Sequence, residues 1–370
     1  MVSEDNTKPL LTVMICAYNQ EQFIREAVEG AFAQTYSPLE ILLSDDCSQD
    51  RTFEIMREMA EAYRGPHRLI LNRNAINLGL AGHSNRMVQL SHGQLLVGAA
   101  GDDVCLPNRA EIIYQAWERS GRRATGIQSG FINIDENGNL IGDPTDSIAV
   151  ETVTFKEEKP ILENYVRTLQ PGIVGGAFAC HPVIYSTFGP LPSALIHEDN
   201  VVALRALCLG SLMFVNIPLI KRRFHGNNLF SRRHELAATW DAVNQQENRM
   251  IRDAKNRQVM YDAFLSDLQV AREKKLISDE QWDRIKNACL HRRRLFGYQA
   301  KYAKATLARK FQILFSAWRV RGGRKLIKWM LLRLIPQTLF RSLKVVVNSA
   351  RLTLKTGFQS ATAGKLAKPA

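Results

Sequence analysis

In the first third of the chain, the order of apolar and polar positions switches repeatedly between two periods. Residues 12–17, 40–44, 68–71 and 95–99 are short, largely apolar runs of strand length, the pattern of strands buried on both faces. Between them, apolar residues recur at three- and four-residue spacing. Phe23, Ala27, Gly30 and Ala31 mark a helix capped by Asn19 and running to about Gln34. Phe53, Met56 and Ala60 mark a second over 52–63, and residues 82–90 a third. Strand, helix, strand in this order predicts an α/β fold, with parallel strands joined by helical crossovers. From Gly126 the pattern changes. Residues 127–134 and 140–141 flank Asp135-Glu136-Asn137-Gly138, whose Asn-Gly step signals a hairpin, so the sheet is expected to become mixed while remaining mainly parallel. A Gly-rich strand region (172–180), a helix (201–209) and a last strand (212–217) ending near His225 follow. Beyond His234 the periodicity is almost wholly helical.

Length and charge divide the chain in two. At 370 residues it exceeds one ordinary domain, and the expected division is a domain of catalytic size over 1–232 followed by a basic, mainly helical region over 233–370. The net charge of +13 is unevenly spread. The last acidic residue is Asp283, and 21 of the 49 Lys and Arg residues follow it, so the first 283 residues are net negative by 8. Within the tail, Phe311, Leu314, Phe315, Trp318, Trp329, Leu332 and Phe340 alternate with cations at helical spacing, and Pro336 divides two helices. Such helices can lie on an anionic membrane surface through residues 300–350, or pack on the acidic first domain or on a second copy of the chain. No helix-turn-helix, zinc or RNP pattern is present, so nucleic acid is not an expected partner. Residues 326–347, interrupted by Lys328, Arg333, Pro336, Arg341 and Lys344, are too charged to span a bilayer. Six cysteines without CxxC spacing, and no basic-then-apolar start, point to a reducing, cytoplasmic setting, with the tail suited to the inner face of the cell membrane.

The chemistry-bearing residues fall in loops after predicted strands, where open α/β sheets bind ligands. Ala17-Tyr18-Asn19 follows the first strand, Asp45-Asp46-Cys47-Ser48 the second, and Asn77-Leu78-Gly79 the third. Asp102-Asp103 follows the fourth. Adjacent carboxylates at a strand end repel unless neutralised, and a divalent cation carrying an anionic ligand would do this; a solvated turn capping the next helix is the plainer alternative. Glu198-Asp199 opens a helix, where acids are favoured by the macrodipole and where a general base could also sit. His225 follows the basic run Lys221-Arg222-Arg223, which alone would suggest a solvated face.

The ordered set Ala-Tyr-Asn, Ser-Asp-Asp-Cys-Ser-Gln-Asp-Arg-Thr, Asn-Leu-Gly and Gly-Asp-Asp-Val-Cys-Leu-Pro resembles the family 2 glycosyltransferases of the GT-A fold, over roughly residues 10–232. The resemblance implies an inverting transfer of a sugar from a nucleotide-diphosphate donor, UDP- or dTDP-linked, to a saccharide or lipid-linked saccharide acceptor in surface polysaccharide assembly. It places Ala17, Tyr18, Asn19, Asp46, Asn77 and Asp102 around the nucleotide, with Asp46 accepting from a base nitrogen. It assigns Asp103, Asp102 and His225 to Mg2+ or Mn2+, and Asp199 to the general base beside Glu198. Many members carry another Asp where this chain has Ala100, which leaves the division of roles between Asp102 and Asp103 open, and an Arg where it has Ser84, which bears on one basic contact to the nucleotide. A non-catalytic carbohydrate- or nucleotide-binding relative, or a sugar nucleotidyltransferase, is the alternative.

Overall fold

The computed structural model describes residues 8–141, 155–158, 162–170, 172–226, 228, 240–302, 305 and 307–318. The tail positions Trp329, Leu332, Pro336 and Phe340 lie outside the described residues.

The apolar runs become strands for the reason their pattern suggests. In β1 (Leu11–Ala17), Leu11, Val13, Ile15 and Ala17 enter the same core as Ile24, Ala27, Val28 and Ala31 of α1 (Ile24–Phe32), while Thr12 and Met14 are buried too. β2 (Leu39–Asp45) is buried along its whole length. After α2 (Thr52–Ala62), β3 (Arg68–Arg73) pairs parallel with β2 and closes one edge of the sheet. α3 (Gly79–Leu90) leads into β4 (Leu95–Ala100), which lies parallel to β1 on its other side.

The second half is mixed, as the change of pattern at Gly126 predicts. β5 (Val104–Cys105), too short to be visible in the sequence, is followed by α4 (Arg109–Arg119) and β6 (Ala124–Ile134). The Asn-Gly turn is present, but its hairpin amounts to a single bridge, Ile134 to Leu140, because β6 is already paired elsewhere. β7 (Phe155–Glu158) and α5 (Leu162–Thr168) come next. The Gly-rich region forms a 3-10 turn, Gly175–Ala177, and a three-residue strand, β8 (Phe178–Cys180). α6 (Val183–Phe188) and α7 (Glu198–Leu209) lead to β9 (Ser211–Arg223), which runs past the expected 217. Among the described residues the sheet order is β3-β2-β1-β4-β8-β6-β9-β5, with β7 on β9. A Cβ on Gly30 would sit 2.8 Å from the Cys105 carbonyl oxygen, so α1 packs directly on β5. The C-terminal region is helical, as expected: α8 (Trp240–Glu273), α9 (Asp279–Tyr302) and α10 (Leu307–Trp318). No helix among the described residues is long and apolar enough to cross a membrane.

The chain separates into two compact units, Met1–Ser231 with Asp262–Cys289, and Arg232–Tyr261 with Leu290–Ala370. The first unit thus takes in a stretch that lies beyond a break at 232. Arg205, fully buried in α7, explains why: its Nε and Nη2 donate to the two oxygens of Asp267 at 2.7 and 3.0 Å, and its Nη1 donates to the Gly189 carbonyl at 2.7 Å. Burial pushes the Asp267 carboxyl up, and Arg205 opposes that shift. Tyr165 of α5 also packs on Phe264, with ring centroids 6.4 Å apart. Removing one partner of a buried pair strands a charge. Asp267→Ala is therefore expected to lower stability by about 3–5 kcal/mol in urea melts, and Arg205→Met combined with Asp267→Leu to recover most of the loss. A single variant as stable as the parent would show that the pair holds nothing together.

Candidate active site at the strand ends

The register of the parallel strands brings their carboxyl ends level: Ala17 lies beside Asp45, Cys16 beside Ala100, and Asp45 beside Arg73. The loops that leave these ends bind one another. Asn19 does not cap α1, which begins at Ile24. Its backbone is left-handed (φ 51°), its N–H donates to Ser48 Oγ at 2.8 Å, and its Oδ1 accepts the Gln49 N–H at 2.8 Å. Cys47 is left-handed as well (φ 64°), a conformation that side chains adopt at a cost. Ala17 is buried beneath this knot, and the Tyr18 ring stands out from it, 45% exposed.

Asp46 is buried. Its Oδ1 accepts from Asn74 Nδ2 at 2.8 Å and from the Leu78 N–H at 2.9 Å, while its Oδ2 accepts no hydrogen bond from the described residues. Asn77, expected at the nucleotide, is exposed and accepts the Gly79 N–H at 3.0 Å, shaping the start of α3. Asn74, which nothing in the local pattern singles out, holds Asp46 instead.

Asp102 and Asp103 are held by residues some 120 positions away. β5 pairs antiparallel with β9, Val104 opposite Lys221 and Cys105 opposite Ile220, and this ladder draws the end of β9 over the two acids. The Arg223 N–H donates to Asp103 Oδ1 at 2.9 Å, and its Nε donates to the Asp102 carbonyl at 3.1 Å. His225 Nε2 lies 2.9 Å from Asp102 Oδ2, which also accepts from Asn228 Nδ2 at 3.1 Å. Arg223 is not part of a solvated face. It is 1% exposed, reaches Glu26 at 2.8 Å, and its guanidinium lies 5.1 Å from the Phe23 ring, on which the His225 ring also packs at 4.6 Å. Two oxygens remain without a hydrogen bond from the described residues, Oδ1 of Asp102 and Oδ2 of Asp103. Burial, and then the charge of Asp102, push the Asp103 carboxyl up to about 7, against the pull of the Arg223 N–H and of Arg222 and Arg109.

Glu198 and Asp199 come to the same place through the 3-10 turn. A Cβ on Gly176 would lie 2.7 Å from Asp103 Oδ2, and one on Gly175 would lie 3.4 Å from Glu198 Oε1 and 3.6 Å from Asp199 Cβ. The two acid pairs therefore flank two consecutive glycines, and a side chain at 176 would press on Asp103, whereas one at 175 would meet only ordinary contacts. Asp199 Oδ1 accepts the N–H and the amide of Asn200, both at 2.7 Å. Burial raises the carboxyls of both Glu198 and Asp199.

Two further residues escape sequence reasoning. Arg109, 1% exposed, donates to the carbonyls of Gly98 (2.6 Å) and Gly176 (2.9 Å) and so pins the glycine turn to β4. His83 is buried under the floor between Cys16 Sγ (3.2 Å) and Ser44 Oγ (2.7 Å), and burial lowers its pKa, so it is neutral at pH 7. Burial and the charges of Glu198, Asp46, Asp102 and Asp45 push the Cys16 thiol up, which makes it packing and not a nucleophile. Asn85 clasps the backbone of Leu191 through two 2.8 Å hydrogen bonds.

Parallel strands that end in buried acids, beside a mixed second half, define an α/β fold of the class that binds ligands at the carboxyl ends of its strands. Residues 12–180 match the family described as Glycosyl transferase family 2. An uncharacterized glycosyltransferase of Methanocaldococcus jannaschii is 28% identical over 169 residues, 45% of this chain and 56% of the relative. One from Haemophilus influenzae is 24% identical over 257 residues, 68% of this chain and 74% of the relative. The match thus spans little more than half of the archaeal relative. Among solved structures, a mannosyltransferase of Pyrobaculum calidifontis in complex with GDP-Man and Mn2+ is 15% identical, with 94% of this chain and 87% of that chain covered and a TM-score of 0.49.

A carboxyl whose pKa is raised by folding contributes stability that is full below its unfolded value and is lost as pH rises through the folded one. For Asp103 that window runs from about pH 4 to about pH 7. Asp103→Asn is expected to raise the melting temperature of the ligand-free protein above pH 7 and to change it little near pH 4–5. An equal effect at both ends would show that ionising Asp103 costs the fold nothing.

Proposed function

We propose that this protein is an inverting, divalent-cation-dependent glycosyltransferase using a nucleotide-diphosphate sugar. The carrying observation is the pair of diacid clusters flanking Gly175 and Gly176 at the strand ends. One cluster suits the leaving diphosphate and the other suits activation of an acceptor hydroxyl.

Among the described residues no three His, Cys, Asp or Glu side chains converge as a ready-made metal site. A cation shared with a substrate diphosphate needs fewer protein donors, and hard oxygen ligands suit Mg2+ or Mn2+. The oxygens of Asp102 and Asp103 that accept no hydrogen bond from the described residues fit that role. His225, the third expected ligand, would instead hold Asp102 in place. When bound, the cation would supply charge neutralisation to the departing nucleoside diphosphate. Arg223 fixes both acids, and Asp199 takes the proton of the acceptor hydroxyl as it attacks the anomeric carbon from the opposite face.

With Asp46 Oδ1 already engaged by Asn74 and Leu78, one oxygen is left for the base. That matches the single imide N–H of uracil or thymine better than the paired donors of guanine, and favours a UDP- or dTDP-sugar. Tyr18, Ala17 and Asn19 would border the base, and Asn77 would act through the start of α3.

A saccharide acceptor carried on a lipid fits the basic C-terminal region, and places the protein peripherally at the inner face of the cell membrane in surface polysaccharide assembly. In the described part of that region, Phe311 and Phe315 are exposed one helical turn apart on α10.

Asp199→Asn should lower transfer by about 10²–10⁴-fold while sparing donor binding, and Asp103→Ala should weaken both. The products should be nucleoside diphosphate and glycoside; release of pyrophosphate would mark a nucleotidyltransferase. The full chain should bind vesicles containing anionic lipid and leave them as salt rises, whereas neutral vesicles should not retain it. Retention that ignores both lipid charge and salt would refute the electrostatic docking.

A further inference from the structure

The Glu198-Asp199 pair is asymmetric. Asp199 has donors: the Asn200 N–H and side-chain amide sit on one oxygen at 2.7 Å, and the Gly175 N–H and nearby His197 also favour its charged form. Glu198 has no comparable support. Its Oε2 is fully buried and has no hydrogen-bond partner, and only its own backbone N–H favours the charged form. The titratable groups acting on it from the surrounding elements are Asp199 on α7, the Cys16 thiol on β1 and the Tyr185 phenol on α6. None of them is a cation. The glycine turn that covers the pair brings no side chain to it.

A buried, unpartnered oxygen costs roughly 1–3 kcal/mol when neutral and far more when charged. Two adjacent buried carboxyls also resist ionising together. We propose that Glu198 is a positioning residue that carries the proton of a one-proton pair, leaving the single negative charge on Asp199, which takes the proton of the acceptor. The inference rests on the transferase reading and adds to it a division of labour between two acids that look equivalent in sequence. Glu198 does not touch the reacting atoms. It supplies a neutral neighbour, so that Asp199 ionises alone and keeps its charge at neutral pH.

The test replaces the protonated acid with its neutral isostere. Glu198→Gln should leave the acid limb of kcat, read at saturating donor and cation so that Asp103 is held ionised and Asp199 is the group that titrates, within about 0.3 pH unit of its original midpoint. The carboxyl ¹³C resonance lost in Glu198→Gln should sit at the neutral-acid position in the parent protein at pH 7. If Glu198 were charged in the parent, the Gln variant would lose that neighbouring anion. The acid limb would then move down by about one unit, and the resonance would sit at the carboxylate position. Either result overturns the proposal. Donor-induced thermal stabilisation of both proteins shows that the variant folds. Loss of transfer in Asp199→Asn tests the transferase reading separately, and the ¹³C position needs no transfer at all.

Discussion

Everything at the strand ends depends on confining like charges that would otherwise push apart. Asp102 and Asp103 are adjacent, buried and both acidic, and what holds them is one backbone N–H and the side chains of Arg223, His225 and Asn228. The two-residue ladder between β5 and β9 carries Arg223 across the molecule, so that its N–H meets one carboxylate and its side chain meets the carbonyl of the other acid. The guanidinium then lies over Phe23 and reaches Glu26, next to the first loop of the domain. One arginine therefore links the fourth strand, the ninth strand and the first helix around the place where negative charge would arrive with a substrate. A preorganised polar frame of this kind need not reorganise when charge develops.

The glycine turn serves the same confinement from another side. Arg109 anchors it from below through the Gly176 carbonyl, and Asp103 and Glu198 bracket it. A methyl at position 176 would lie 2.7 Å from Asp103 Oδ2, one of the two carboxylate oxygens without a hydrogen bond from the described residues. The absence of a side chain at 176 thus lets the turn pass close to Asp103 while Gly175 lies against Glu198 and Asp199.

Much of this was legible from residue order, and the failures have physical causes. The strands β1, β2 and β4 are buried on both faces and show as unbroken apolar runs, and the acids that follow them stand out as motifs. β5 does not show, because two residues carry no periodicity and its pairing is with a strand more than a hundred positions away. Arg223 sits in a run of three basic residues that resembles a wetted surface, and its burial is decided by Phe23 and Glu26, 197 residues from it in the latter case. Arg109 and Asn74 fail for the same reason, since their partners are remote carbonyls and a remote carboxylate. Asn19 suited a helix cap but became a clamp between two loops, because the neighbouring loop offered Ser48 and Gln49. The hairpin at Asn137-Gly138 kept its turn and lost its ladder to the longer pairing of β6 with β9.

The tie between Arg205 and Asp267 bears on how such a chain can be shortened or recombined. The helix that opens with Glu198 and Asp199 is anchored, two turns further on, by an acid belonging to a helix that starts only after residue 239. Cutting at the end of the last strand would remove both the counter-ion of Arg205, which lies on the helix that opens with Glu198 and Asp199, and the helix that supplies that counter-ion. The smallest self-sufficient piece is therefore discontinuous along the polypeptide. A different C-terminal region grafted onto the first 231 residues would have to meet Arg205 with a carboxylate or leave its guanidinium to water.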